Sequence, residues 1–262
     1  MVGRTATGVQ DLNHLTAAGD RQHPTGLTAQ VFLAYAAEDS PKAARYGPVA
    51  PAPTPTAATI NALSQLLSEA QIAYWECPQP WPTAVDPEPA ISRAAESCDN
   101  YLLVITPRSL TDAFCLQGLL FALSMHKRIV PVLAETVPVE RLPEPLQTLE
   151  TIDLRTSLLP LAQTAEGRRL LHRLHHRASD YQTHTRLLVK ALQWERQRRD
   201  PALLLQGKEL AAYQRWLAEA TRRSQPQPIQ LQTLYVAESN RCWGDRGNVV
   251  TQGGGWLKRW LE

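Results

Sequence analysis

Short apolar runs alternate with helical segments along residues 29–157, and this alternation constrains the fold more than any other feature of the chain. The runs are rich in strand-forming residues and are apolar without interruption: TAQVFLAYA, IAYWE, NYLLVIT, KRIVPVL and TIDL. Continuous apolar strands are typical of a sheet that is covered on both faces. Strands separated by helices lie parallel and connect by right-handed crossovers. The sequence therefore predicts an α/β fold, a doubly wound parallel sheet of about five strands.

The predicted sheet also locates a candidate binding site. In doubly wound sheets, ligands bind beyond the carboxyl ends of the strands. The segments YAAEDS, ECPQPWPTAVDPEP and TPRSLTDAFC follow three of the strands and are predicted to form this edge. The candidate residues of a nucleotide pocket at or beside the edge are Tyr35, Asp39, Trp75, Trp81, Asp86, Ser109 and Cys115.

Several of these candidates also have a purely structural interpretation. Tyr35 would be an aromatic residue at a strand end, and Asp39 would cap a helix. Trp75 and Cys115 would pack in the core, as buried free cysteines usually do. Trp81 lies on a proline-rich loop, where its ring would be freer to stack on a base. The residues alone leave both interpretations open.

The rest of the chain divides into segments that differ in amino-acid composition. Residues 1–28 are small and polar and are predicted to be a flexible leader. Residues 47–56 are rich in proline, which predicts a loop or an extended spacer. Residues 163–241 have helical apolar spacing and are predicted to be an all-α extension. Residues 242–262 contain GDRG and GGG, which predict an irregular tail.

Composition excludes several classes of function. The formal net charge is +2, so no global electrostatic attraction to nucleic acid is expected. None of the four cysteines lies in a CxxC pair, which is typical of free thiols in the reducing cytosol. No signal peptide and no apolar run of about 18 residues occur, so a soluble cytoplasmic protein without a membrane span is predicted. HRLHHR holds three histidines without a further metal ligand nearby, which favours a solvated basic helix face and no metal site.

A family resemblance joins these observations. VFLAYAAEDS, DNYLLVITPRSL and FCLQGLLFALSMHKRIVPVL, in that order, resemble the Toll/interleukin-1 receptor (TIR) domain of the bacterial type, and especially that of cyanobacterial proteins. The resemblance covers residues 29–157, and the following segment resembles the helical extension of many such proteins. It implies a flavodoxin-like sheet, TIR–TIR contacts in signalling, and the cleavage of NAD between nicotinamide and ribose that many TIR domains perform.

The position of the family's catalytic acid departs from the pattern. The family places a glutamate in the order aromatic, Cys, two variable residues, Glu, Leu. The corresponding residues of this chain are Phe114, Cys115, Leu116, Gln117, Gly118 and Leu119. Gly118 therefore stands where the resemblance implies a carboxylate that stabilises an oxocarbenium-like ribose. Ser109 is expected to cap this helix, with Asp112 in its first turn, where an acid is favoured.

These observations predict a signalling or scaffold module with NAD cleavage lost or very weak. Its implied partners are other TIR domains, with a homo-oligomer forming on activation, and no cofactor is expected. The alternative is an active NAD glycohydrolase that uses NAD as its substrate and takes Asp39, Asp86 or an acid from a partner chain as the carboxylate. A degraded gene product, with a poorly folded tail, is a third hypothesis.

Overall fold

The structure is a computed structural model, and it describes residues 30–41, 54–77, 86–155, 160–220, 222 and 225–253. The predicted leader, Trp81 and the residues after Gly253 lie outside the described residues. The limits predicted for the individual domains stay predictions.

The centre of the molecule is a five-stranded sheet in which every described pairing is parallel. Its strands are β1 (Val31–Ala34), β2 (Tyr74–Glu76), β3 (Asn100–Ile105), β4 (Arg128–Leu133) and β5 (Ile152–Asp153). Their spatial order is β2-β1-β3-β4-β5, which is the flavodoxin-like order. The predicted sheet is confirmed, since each apolar run supplies one strand.

Four helices connect the strands: α1 (Pro55–Glu69), α2 (Glu88–Ser97), α3 (Ala113–Ser124) and the short α4 (Glu144–Gln147). α1 begins inside the proline-rich stretch, so the loop predicted up to residue 56 is wrong at its end. The reason is local, because the Thr54 side chain accepts a hydrogen bond from the Ala57 amide at 3.1 Å and Pro55 takes the first helical position. Proline is tolerated there because that amide would have no helical partner.

Consecutive residues of the strands supply two separate cores, one on each face of the sheet. Val31 and Leu33 pack with α1 on one face, whereas Phe32 and Tyr101 pack with α2 and α3 on the other. Both faces are therefore covered, which explains why the strands are apolar without alternation.

The extension consists of four helices: α5 (Ala165–His175), α6 (Ala178–Arg196), α7 (Gly207–Ala220) and α8 (Gln230–Gly253). α5 and α6 are separated at Arg177, whose φ of +52° places it in the left-handed region. The helices enclose a third core, in which Trp194, Trp216 and Tyr235 are buried. The predicted all-α extension after the sheet is confirmed.

The last helix is longer than the sequence indicates. α8 continues to Gly253 through the GDRG segment, where an irregular tail is predicted from residue 242 onward. The prediction is wrong for residues 242–253. Glycine lowers helix propensity by about 1 kcal/mol relative to alanine, but it does not forbid a helix that is already nucleated by a packed segment.

Polar side chains hold the extension against the sheet. Lys127 Nζ donates hydrogen bonds to the Glu96 carbonyl at 2.8 Å and to Thr185 Oγ1 at 3.0 Å, and so joins α2 to α6. Thr185 Oγ1 also donates to the Cys98 carbonyl at 3.2 Å. The Arg196 guanidinium forms two parallel hydrogen bonds with the Glu96 carboxylate, one of them at 2.9 Å between Nη1 and Oε2. The two halves thus share a polar junction.

Candidate functional site

Asp39 ties together the carboxyl ends of β1 and β3. It ends a short 3-10 turn, and it is 1% exposed. Its carboxylate accepts hydrogen bonds from Thr106 Oγ1 at 2.7 Å and from Arg108 Nη1 at 2.7 Å. The charge and hydrogen bond of Asp39 raise the pKa of Arg108. Asp39 is therefore not the cap of a regular helix, because its carboxylate is used to fix one strand end to its neighbour.

The start of α3 is capped by Asp112 and not by Ser109, so the predicted cap is wrong. Asp112 Oδ1 accepts a hydrogen bond from the Cys115 amide at 2.8 Å. Ser109 is fully buried three residues earlier, where its Oγ accepts from the Thr106 amide at 2.9 Å and donates to the Thr106 carbonyl. Ser109 thus stabilises the turn after β3 and does not cap the helix.

Tyr35 faces a carboxylate that the sequence analysis does not include. Its hydroxyl donates to Glu76 Oε2 at 2.9 Å, across the ends of β1 and β2. Burial and the charge of Glu76 raise the pKa of Tyr35 above its ordinary value. Glu76 could have been found from the sequence, because it is the last residue of a predicted strand and so lies at the ligand edge.

Gly118 lies against the ring of Tyr101, on the face of the sheet that α2 and α3 cover. A Cβ atom at position 118 would be 2.8 Å from Tyr101 Oη and 3.0 Å from Cε2. Tyr101 is completely buried, and its hydroxyl donates to the Cys115 carbonyl at 2.7 Å. The absence of a side chain at position 118 therefore makes room for Tyr101, which explains why this buried helix position holds a glycine.

Cys115 and Trp75 take the structural roles that the sequence offers as one alternative. Cys115 is 4% exposed, and burial followed by the charge of Asp112 raises the pKa of its thiol, which disfavours the thiolate. The Trp75 ring packs edge-on against Phe32 with 4.6 Å between centroids. Neither side chain is presented to a ligand as a reactive or stacking group within the described residues.

The space between these side chains is small. Tyr35, Asp112 and Cys115 line a cavity of about 10 Å³ together with the remaining lining residues Phe32, Ala34, Cys77, Ile91 and Phe114. A volume of this size holds one water molecule at most, whereas ligand pockets occupy about 300–1,000 Å³. This cavity therefore has no room for a nicotinamide ring.

Asp86 makes a local contact at the start of α2. It is exposed, and its Oδ1 accepts a hydrogen bond from the Glu88 amide at 3.0 Å. The loop that joins it to β2 includes Trp81, which lies outside the described residues. Of the seven candidates, the structure thus brings Tyr35 and Cys115 to one cavity, whereas Asp39 and Ser109 stabilise the neighbouring turns.

Two further searches of the described ranges concern other kinds of site. No helix there is long and apolar enough to span a membrane. No group of three or more His, Cys, Asp or Glu side chains in the same ranges is arranged to hold a metal ion.

The sheet order and the helices on both faces define a flavodoxin-like α/β domain. Residues 54–171 match the TIR domain family, and the α/β half of this chain is a TIR domain. The chain is similar to the TIR domain of the Toll-related receptor TRR-2 from Hydra magnipapillata, at 20% identity and a TM-score of 0.41, with 56% of this chain and 98% of that chain covered.

A second similar structure is a TIR-STING receptor from C. gigas, solved in complex with 2',3'-cGAMP. It is 20% identical, with a TM-score of 0.36, and the match covers 48% of this chain and 35% of that one. No curated protein sequence matches this chain.

Proposed function

We propose that this chain is a cytoplasmic signalling module of the bacterial type that acts through contacts with other TIR domains, and that its NAD-cleaving activity is lost. The observation that carries the loss is the contact between Gly118 and Tyr101, since a Cβ at position 118 would lie 2.8 Å from Tyr101 Oη. The chain lacks a carboxylate at this position, and a buried tyrosine fills the space that the side chain would need.

Three acids near the edge are engaged in structure. The Asp39 carboxylate is bonded to Thr106 and Arg108, and Asp112 caps α3. Glu76 accepts the Tyr35 hydroxyl. Loss of one group that stabilises transition-state charge costs about 10²–10³ in rate. Each of these three carboxylates already has a partner in the protein, so none is available to replace the missing acid.

Association with other TIR domains is supported by the outer face of α3. Leu120 on this helix is 66% exposed, more than any other large apolar side chain of the described residues. Leu116 lies one turn before it and is half-buried. The two leucines make continuous apolar surface on this helix face, and continuous apolar surface is typical of protein contact sites. We therefore assign this face to the TIR–TIR contact.

The proposed loss of activity is tested by incubating the purified chain with NAD and measuring released nicotinamide. The wild-type protein is expected to give no turnover. Gly118→Glu alone is not expected to restore it, because Tyr101 blocks the side chain. The double variant Tyr101→Ala/Gly118→Glu supplies both the space and the acid, and Tyr101→Ala/Gly118→Gln is its uncharged control. Brisk turnover by the wild-type chain alone would overturn the proposal.

The same preparations test association, by light scattering and by chemical crosslinking over a range of protein concentrations. Concentration-dependent assembly is expected for the wild type and is expected to weaken in Leu120→Glu. Val139→Glu is the matched control, because Val139 is 58% exposed and lies on a different surface segment. A wild-type chain that stays monomeric at the highest concentration would contradict the TIR–TIR role.

An active glycohydrolase with a displaced acid is the alternative, and the exposure of Asp86 favours it over Asp39 as the acid. If the wild-type chain released nicotinamide, Asp86→Asn would remove the activity under this alternative. A degraded gene product is disfavoured by the buried core of the extension, where Trp194 and Tyr235 pack with ring centroids 5.4 Å apart.

A further inference from the structure

A large cavity lies at the opposite edge of the sheet, where β4 begins. Its volume is about 620 Å³, which is within the usual range for small-molecule sites. It is enclosed by the end of α3, the α4 region, the turn between α5 and α6, and the segment before α8. The residues that line it are Leu123, His126, Lys127, Arg128, Ile129, Pro145, Thr148, Leu149, Arg173, His176, Arg177, Tyr181, Gln225 and Gln227.

The lining is strongly cationic. It includes Lys127 and three arginines, with two histidines beside them, and the described lining contains no aspartate or glutamate. The whole chain carries a formal charge of only +2, so this concentration of positive charge is a local feature. Cationic walls around a confined volume raise the local concentration of anions.

Arg128 is the most deeply buried arginine of this group, at 8% exposure. Its guanidinium donates hydrogen bonds to the carbonyls of Arg173, Leu174 and His176, and it lies 3.9 Å above the centroid of the Tyr181 ring. These acceptors are neutral, and no carboxylate of the described residues forms an ion pair with Arg128. The charge of Asp99 favours the protonated Arg128 from beyond ion-pair distance, and so compensates it only in part. A partly compensated buried cation is costly, and an anionic ligand would compensate it further.

Arg173 brings a second guanidinium to the same wall. Its side chain is 25% exposed, and its Nη1 donates to the Glu150 carbonyl at 2.7 Å and lies 3.5 Å from Glu150 Oε2. Burial and then the charge of Arg169 lower the pKa of Arg173. Burial also lowers the pKa of Arg128, and the charge of Arg173 adds a smaller effect in the same direction. The two arginines therefore repel each other, and an anion between them would relieve that repulsion.

We infer that this cavity binds a small organic anion that carries phosphate. Planar guanidinium groups match phosphate oxygens through paired hydrogen bonds, and arginine is the residue most used for this recognition. Leu123, Ile129 and Leu149 form an apolar wall that would contact the organic part of the ligand. Because the cavity joins the TIR domain to the extension, its ligand would fasten the two halves to each other.

The site is tested by isothermal titration calorimetry of the full chain with sodium pyrophosphate, in buffer matched in ionic strength with sodium chloride. Arg173→Gln removes one guanidinium from the wall, and Thr148→Glu adds a carboxylate at an exposed lining position. Each has a matched control: Arg168→Gln on the same helix, and Thr111→Glu, which has the same hydroxyl-to-carbonyl bond as Thr148 but lies at the other edge.

Saturable pyrophosphate binding is expected for the wild type and both controls. Arg173→Gln removes a charge-assisted hydrogen bond, and Thr148→Glu places a negative charge beside the anion. Each is expected to weaken the affinity by about tenfold or more. Absence of heat with the wild type at millimolar pyrophosphate would overturn the proposal. Equal affinities of Arg173→Gln and Arg168→Gln would also overturn it, as would tighter binding of citrate, which would assign the site to carboxylates.

Discussion

The two edges of the sheet contrast in how their polar groups are used. At the carboxyl edge, Asp39, Tyr35 and Asp112 are bonded to the protein itself, and the space left is about 10 Å³. At the amino edge, Arg128 and its neighbours surround a cavity of about 620 Å³. The family resemblance directs attention to the first edge, but among the described residues the larger cavity and the cluster of positive charge are at the second. A shared fold therefore does not fix where a ligand binds, because sites depend on individual side chains.

Gly118→Glu is the most direct way to break the closed carboxyl edge, and it has the largest expected effect. Its Cβ would lie 2.8 Å from Tyr101 Oη, so the helix or the ring has to shift, and a carboxylate would be buried without a partner. We expect the free energy of unfolding to fall by about 3–5 kcal/mol, measured by urea denaturation.

The control for this substitution is Gln117→Glu, which places the same charge at the neighbouring, half-buried position. It is expected to change the stability by less than about 1 kcal/mol. If Gly118→Glu were as stable as Gln117→Glu, the edge would have room for the acid, and the contrast between the two edges would disappear.

The junction beside the amino edge predicts a dependence of stability on pH. His184 is completely buried, and neither ring nitrogen has a hydrogen-bond partner within the described residues. Burial, together with the charges of Lys127 and His126, lowers the pKa of His184 from 6.5 to about 3. The unfolded chain takes up this proton below pH 6.5, whereas the folded chain does so only near pH 3. The free energy of unfolding should therefore fall by about 1.4 kcal/mol per pH unit across this window as the pH decreases.

His184→Met removes the titrating group and is expected to make the unfolding midpoint less sensitive to pH between 6.5 and 4, measured by thermal denaturation. His172→Met is the control, since His172 is exposed on α5 and should leave the pH dependence of the wild type unchanged. Identical pH profiles for the wild type and His184→Met would show that His184 is not buried as a neutral group.

The ion pair between Glu96 and Arg196 has the smallest expected effect. Glu96 is 6% exposed on α2, whereas the Arg196 side chain on α6 is 57% exposed. Partial exposure screens the pair, so Arg196→Ala should lower the free energy of unfolding by about 1 kcal/mol, with a smaller loss at high salt. Arg199→Ala is the control, because it removes an exposed pair with Glu195 just after the end of α6, together with a distant contact to the Trp194 ring. Urea denaturation should detect a smaller loss for this variant. If both variants lowered the free energy of unfolding equally, the pair between Glu96 and Arg196 would not stabilise the junction.

The order of strands and helices was predictable because it depends on local pattern. Each strand is an apolar run, and helices such as α1 repeat apolar residues at three- and four-residue spacing, so neighbouring residues carry enough information. The break between α5 and α6 was not predictable, because Arg177 adopts a positive φ that most arginines avoid. The length of α8 was underestimated because the glycines of its second half predict an irregular segment, whereas the helix begins in the apolar segment before them and continues through them.

The candidate site was predictable in its position but not in its contacts. Sequence shows that Gly118 replaces an acid, but not that Tyr101, which is 17 positions away, fills the space. The HRLHHR segment was interpreted as a solvated basic face, and this holds for the exposed His172 and His175. Arg173 from the same segment instead lines the large cavity. Whether a charge faces water or a cavity depends on elements that are distant in sequence, so no local pattern reports it.

The adjacent residues Lys127 and Arg128 both form hydrogen bonds to the extension, and each reaches a different part of it. Lys127 reaches α2 and α6, and Arg128 reaches the carbonyls at the end of α5. The family match ends at residue 171, inside α5. A fragment cut there would lose the carbonyl acceptors of Arg128, whereas Lys127 would lose Thr185 and keep the Glu96 carbonyl. In such a fragment the Arg128 guanidinium would lie at the surface without its carbonyl acceptors. The sheet and the helical extension should therefore be expressed together as one folding unit.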